Sequence, residues 1–195
     1  MKIIGLTGGI GMGKSTAAAA FHRAHFPIFD ADATVHALQG PGGRALPAIE
    51  AAFPGTVVND TLDRAALRQA VLGKPDALKR LEAIVHPLVR TAEYAVRARA
   101  RRAGARAVVL DIPLLLETGG HKRVDLVVVV SAPRAVQIHR VGRRGHMSRT
   151  QIEAVIARQM PDAAKRRHAD VVVRTGLSRF HALRTLKRLI LDIYQ

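Results

Sequence analysis

The chain alternates short apolar runs with longer stretches in which apolar residues return every three or four positions. Five of the runs, Ile3–Leu6, Pro27–Phe29, Ala107–Leu110, Leu126–Val130 and Val171–Val173, are apolar and rich in Val or Ile. That is the pattern of strands buried on both faces of a parallel sheet. Helical patterns lie between them, so the alternation predicts an α/β fold, a three-layer α/β/α arrangement with a five-stranded parallel sheet and right-handed crossovers. Ligands of such sheets bind beyond the carboxyl ends of the strands. Three of the predicted strands end there in chemistry: the first in a glycine-rich loop, the second in Asp30-Ala31-Asp32, the third in Asp111.

Two stretches exceed a minimal five-strand core. The first carries Gly40-Pro41-Gly42-Gly43, helical patterns over Asp63–Leu72 and Asp76–Val85, then His86-Pro87 and a long helix, with no convincing core strand. It predicts a mostly helical, acceptor-binding region over 34–105. The second follows the fourth strand with an arginine-bearing helix, a break at Gly145 and a further helix capped by Ser148 and Gln151, which have the spacing of a capping box. It predicts a hinged lid over 133–165. The nucleotide-binding core is then 1–33, 106–132 and 166–195.

The loop after the first strand changes the picture from fold to chemistry. Gly8-Gly9-Ile10-Gly11-Met12-Gly13-Lys14-Ser15 matches the phosphate-binding P-loop, two glycines flanking four residues and then Lys and Ser. Backbone N–H groups of such a turn cradle phosphate oxygens, and the helix that follows adds its positive N-terminus. Lys14 is expected to reach the terminal phosphates of a nucleotide triphosphate and the Ser15 hydroxyl to sit on Mg²⁺. Asp111, at the end of an apolar strand, is expected to join the Mg²⁺ shell. Asp30 and Asp32, one residue apart, would share a face if strand geometry continues. Asp32 is then the candidate base for an acceptor hydroxyl, and Asp30 is structural. Arg140, Arg143 and Arg144, at i, i+3 and i+4, would present three guanidiniums on one helix face to developing phosphoryl charge.

Composition limits the alternatives. The 195 residues hold no run long enough to cross a bilayer, and a cleavable leader would remove the P-loop. Zero cysteines exclude disulfides and thiolate metal sites and suit a reducing cytoplasm. The net charge of +16 invites a nucleic-acid reading. Its densest run, Arg97, Arg99, Arg101, Arg102 and Arg106, scatters around a helix instead of forming a stripe, and aromatics total only 4%. The single asparagine, Asn59, is followed by Asp60-Thr61, so the Asn-Lys-x-Asp element of guanine-specific switches is absent. No nucleic-acid and no membrane partner is expected.

Taken in order along the chain, these motifs identify a family. Leu6-Thr7-Gly8-Gly9-Ile10-Gly11, Asp30-Ala31-Asp32, Leu62-Asp63-Arg64, Leu81-Glu82, His86-Pro87 and Asp111-Ile112-Pro113-Leu114-Leu115-Leu116-Glu117 resemble dephospho-coenzyme A kinases. So do Gln137 with Arg140 and Arg144, then Gln159 and Ala169-Asp170. The resemblance implies transfer of the γ-phosphoryl of ATP to the ribose 3′-hydroxyl of dephospho-coenzyme A, the last step of coenzyme A synthesis. It implies ATP and Mg²⁺, a cytoplasmic enzyme and a monomer or small homo-oligomer. Gly8, Gly11, Met12, Gly13, Lys14, Ser15 and Thr16 would hold the ATP phosphates, with Asp32, Lys14 and Arg140 catalytic. Thr7, Asp32, His86, Pro87, Leu114, Leu115 and Glu117 would form the acceptor side. Where the family tends to place an asparagine near the adenine, this chain has Arg174-Thr175-Gly176. Met12 replaces a common serine, its side chain expected to point away from the phosphates. A P-loop kinase of a nucleoside, nucleotide or sugar acid would share the loop but not the Asp-Ala-Asp and His-Pro positions.

Overall fold

The structure, a computed structural model, describes residues 1–145 and 147–195. It separates into two compact units: residues 1–29 with 99–195, and residues 30–98. The main sheet consists of β1 (Lys2–Thr7), β2 (Ile28–Asp30), β5 (Ala107–Asp111), β6 (Leu126–Ser131) and β7 (Val171–Arg174), in the order β2-β5-β1-β6-β7. Its strands run parallel, with α1 (Lys14–Arg23), α6 (Arg134–Gly142), α7 (Arg149–Ala157), α8 (Asp162–Arg167) and α9 (Arg179–Tyr194) in the same unit. All five strands lie where the apolar runs predict them; β2 is shifted by one residue and the other four are extended by one or two. The Val- and Ile-rich runs bury both faces: β5 is buried at every position and β6 at all but the first.

Register does the positioning. Pairing of β1 with β5 sets Leu6 beside Asp111, and pairing with β6 sets Thr7 beside Val129. The glycine-rich loop and the Asp111 carboxylate therefore leave the sheet at the same edge. Behind it, Phe21 of α1 is fully buried among Ile4, Leu6 and Val109 and meets Phe26 edge-on, the ring centroids 5.9 Å apart. Tyr194 at the end of α9 donates from its hydroxyl to the Ala24 carbonyl at 3.0 Å, and Arg106 donates to the Tyr194 carbonyl at 2.6 Å.

The second unit holds α2 (Ala31–Leu38), α3 (Leu46–Ala52), the short strands β3 (Val57–Val58) and β4 (Thr61–Leu62), α4 (Arg64–Val71) and most of α5 (Pro75–Arg102). Ile49, Phe53, Leu62 and Leu67 form its core. Asp63 caps α4 by accepting from the N–H groups of Ala65 and Ala66, each at 2.9 Å. Two features depart from expectation. The region expected to be helical contains the β3–β4 hairpin, turned through Asn59 and Asp60 at φ 48° and 57°. Asn and Asp tolerate that left-handed geometry, which a two-residue hairpin turn requires. Second, His86-Pro87 does not divide the helix. α5 runs through Pro87 for 28 residues, although proline cannot donate to the Ala83 carbonyl. Thr91 donates its hydroxyl to the Pro87 carbonyl at 2.9 Å one turn on.

Because Phe21 is wholly enclosed, Phe21→Ala should lower the free energy of unfolding by about 3–5 kcal/mol. A urea titration measures this, and a loss below about 1 kcal/mol would show that the ring is not an element of the core.

Candidate active site

The loop between β1 and α1 is shaped by what glycine permits. Gly13 takes φ 92° and caps α1 with its carbonyl, accepting from Thr16 N–H at 3.0 Å. At Gly8 a Cβ would lie 2.7 Å from the Val130 carbonyl oxygen, so the backbone passes β6 too closely for any side chain. Met12 turns its side chain inward. It is 3% exposed, belongs to the sheet core, and its sulfur accepts from Ala132 N–H at 3.0 Å. The N–H groups of Gly13, Lys14 and Ser15 are left at the head of α1, where an anion is favoured.

Side chains distant in sequence brace the loop. Gln137 donates to the Ile10 carbonyl at 2.8 Å, and Gln159 accepts from the Ile10 N–H at 3.0 Å. Lys14 Nζ pairs with Asp111 Oδ1, a carboxylate 4% exposed at the end of β5. Ser15 is exposed beside them. A cavity of about 530 Å³ opens over this loop, lined by Gly13, Ser15, Thr16, Arg140, Thr175 and Arg179 among others.

The arginine trio is arranged differently from the expectation. α6 ends at Gly142, so Arg143 is its C-cap and Arg144 lies in the turn beyond. They do not share a helix face, yet all three border that cavity. Arg140 is the anchored one, donating from Nη1 to Thr175 Oγ1 at 2.9 Å and from Nη2 to the Thr175 carbonyl at 2.8 Å. The helix after Gly145 carries the expected capping box between Ser148 and Gln151.

On the acceptor side the expected residues divide. Thr7 is fully buried and donates to the Pro113 carbonyl at 2.8 Å. Leu115 is also fully buried, packed with Leu116, Val127 and Val129, so its side chain belongs to the core. Leu114, one residue earlier, is 45% exposed. Glu117 accepts from Lys165 Nζ at 2.7 Å and from Met160 N–H at 3.1 Å. Burial alone would raise its pKa, but hydrogen bonds from Lys165 and Met160 and the ammonium's charge outweigh it, and the carboxyl is held below its ordinary value. Lys165 itself is 1% exposed.

Asp32, His86 and Pro87 belong to the second unit and are exposed there. Asp30 and Asp32 do not share a strand face, because the strand stops at Asp30. Asp30 accepts from Ala33 N–H at 2.9 Å and caps α2, which leaves Asp32 in the first turn of that helix. A carboxylate there is favoured by the helix dipole. The residue that sequence reasoning missed is Thr175. A threonine after a strand carries no signal of its own; only the departure from the expected asparagine marked the place.

Among the described residues no three His, Cys, Asp or Glu side chains group as a metal cluster, and no helix is long and apolar enough to cross a membrane. The family model described as Dephospho-CoA kinase matches residues 2–178. A dephospho-CoA kinase of Gluconobacter oxydans is 53% identical over 194 residues, covering 97% of this chain and 96% of its own. One from Paramagnetospirillum magneticum is 61% identical over 166 residues, covering 85% and 78%. The solved structure of the dephospho-CoA kinase from Campylobacter jejuni superposes with a TM-score of 0.66 at 22% identity, covering 98% of this chain and 97% of that one.

The buried pair gives a prediction with a defined sign. Glu117 has a lowered folded pKa, so the stability it contributes is present above its unfolded pKa near about 4.3 and fades as pH falls through the folded value. Glu117→Gln strips the negative charge from the enclosed Lys165 and should cost about 2 kcal/mol at pH 7. In paired urea titrations the gap from the parent should narrow below pH about 4; a gap independent of pH would show that the ion pair does not carry it.

Proposed function

The chain belongs to the dephospho-CoA kinase family, which uses ATP to complete coenzyme A synthesis, and we propose how its residues divide that phosphoryl transfer. The observation that carries the reading is the P-loop itself: it opens α1 with Lys14 against the buried Asp111, under a cavity bordered by Arg140.

The backbone from Gly8 to Thr16 cradles the ATP phosphates, with N–H groups and the helix dipole neutralising charge. Lys14 holds the terminal phosphates and Arg140 meets charge that develops on the transferring group. Asp32 orients the ribose 3′-hydroxyl of dephospho-CoA and accepts its proton as oxygen bonds to the γ-phosphorus and the bridge to the β-phosphate breaks. The products are coenzyme A and ADP. His86, Pro87, Leu114 and the stretch ending at Glu117 serve the acceptor, and residues 133–165 act as a lid that excludes water.

Ser15 and Asp111 fit a Mg²⁺ ion. A hydroxyl and one carboxylate are hard oxygen donors, and Mg²⁺ takes few protein ligands when substrate phosphates supply the rest. When bound, the ion supplies neutralisation of phosphate charge. Asp111 holds Lys14 in the meantime, which keeps both side chains at the loop.

The deciding assay is ADP release by purified protein with ATP and Mg²⁺, comparing dephospho-CoA with adenosine, AMP and gluconate and checking product mass. Turnover should be confined to dephospho-CoA, with one phosphate added. Activity on another acceptor alone would leave only a P-loop kinase. Asp32→Asn should lower kcat by about 10²–10⁴-fold with ATP binding retained by calorimetry; near-normal turnover in that variant removes Asp32 from the role of base.

A further inference from the structure

Thr175 stands where three parts of the site meet, although nothing in the chemistry above uses it. It follows β7, is 8% exposed, and presses on the P-loop so closely that a Cβ on Gly13 would lie 3.3 Å from its Cγ2 and Oγ1. Its hydroxyl has one proton to give. The Met12 carbonyl, at 2.6 Å, is a far better acceptor than the Ser131 carbonyl at 3.4 Å. The oxygen's lone pairs then accept from Arg140 Nη1, while the Thr175 carbonyl takes Nη2. A serine or threonine hydroxyl can donate and accept at once. Here one such group ties the loop backbone to the lid arginine.

We propose that Thr175 is a positioning residue that holds Arg140 in register with the P-loop, so that the guanidinium reaches phosphoryl oxygens from a fixed place. The proposal rests on the reading of Arg140 given above. Arginine side chains have many rotamers, and one that must be ordered at each turnover loses rate. Two of its N–H groups are spent on Thr175, which leaves the others for substrate. The bond to Met12 makes the arrangement mutual: the loop cannot shift without carrying its arginine holder.

Valine and threonine have nearly the same shape, so Thr175→Val removes the hydroxyl and keeps the packing against Gly13. It should lower kcat about tenfold with the KM for dephospho-CoA unchanged. Thr175→Ser should restore turnover to within about threefold of the parent. The decisive comparison is a cycle with Arg140→Ala. If Thr175 acts through the arginine, adding Thr175→Val to Arg140→Ala should change kcat by less than about twofold. A full tenfold loss in that background, or Thr175→Ser as impaired as Thr175→Val, overturns the proposal while Arg140 keeps its role. Full turnover by Arg140→Ala alone overturns the role of Arg140 and this inference with it. A packing fault at residue 175 would cost rate equally with or without the arginine, which separates it from the positioning role.

Discussion

A loop made largely of glycine cannot hold itself. Glycine makes the P-loop possible, since only bare backbone passes Val130 so closely or turns at Gly13 as required. The same freedom costs more entropy to order than any other residue. The constraint must come from outside the loop, and in this fold it comes from four directions. Gln137 and Gln159 take the two sides of the Ile10 peptide, Thr175 takes the Met12 carbonyl, Ala132 takes the Met12 sulfur, and Asp111 takes Lys14. These partners come from the ends of β5, β6 and β7 and from the helical stretch after β6. The parallel sheet is thus a frame that delivers braces to one short turn.

The braces differ in kind. The glutamines and threonine are neutral donors and acceptors, and each has a backbone group of the loop as its partner. Lys14 and Asp111 form an ion pair with the carboxylate buried and the ammonium partly exposed, so loss of either charge is costly. The Lys165–Glu117 pair is also ionic and ties α8 to the turn after β5. Thr7 reaches that same turn through the Pro113 carbonyl.

What could be read from the sequence follows the strength of each physical signal. A buried parallel strand must be apolar at every position, so all five strands were visible, as was the P-loop, whose residue types are dictated by backbone geometry. The Ser148–Gln151 cap was visible because its spacing is its mechanism. The β3–β4 hairpin was not, since two-residue strands have no periodicity and only Asn59-Asp60 hinted at the turn. Proline argued for a break at residue 87, but the helix on both sides retains enough hydrogen bonds to continue. Asp30 and Asp32 looked like one strand face because the alternation carries no mark of where a strand hands over to a helix. The resemblance places Leu114 and Leu115 together on the acceptor side, and a run of three leucines does not disclose which of them faces inward; Leu115 does and Leu114 does not. Thr175 lay beyond pattern altogether: its importance is a matter of four contacts, each to a residue at least 35 positions away.

The two edges of the sheet bear on how this chain behaves among many copies of itself. A Val-rich sheet is good material for intermolecular strand pairing, and open edges are where that begins. Here the edges offer little to copy. β2 is three residues long, is preceded by Pro27, which has no N–H to give, and ends in the charged Asp30. β7 is four residues long, preceded by Asp170 and ending in Arg174, and the Asp170 carboxylate is already engaged by Val127 N–H at 2.7 Å. A net charge of +16 adds repulsion between copies, and the long apolar strands β1, β5 and β6 lie between edges too short to serve as templates.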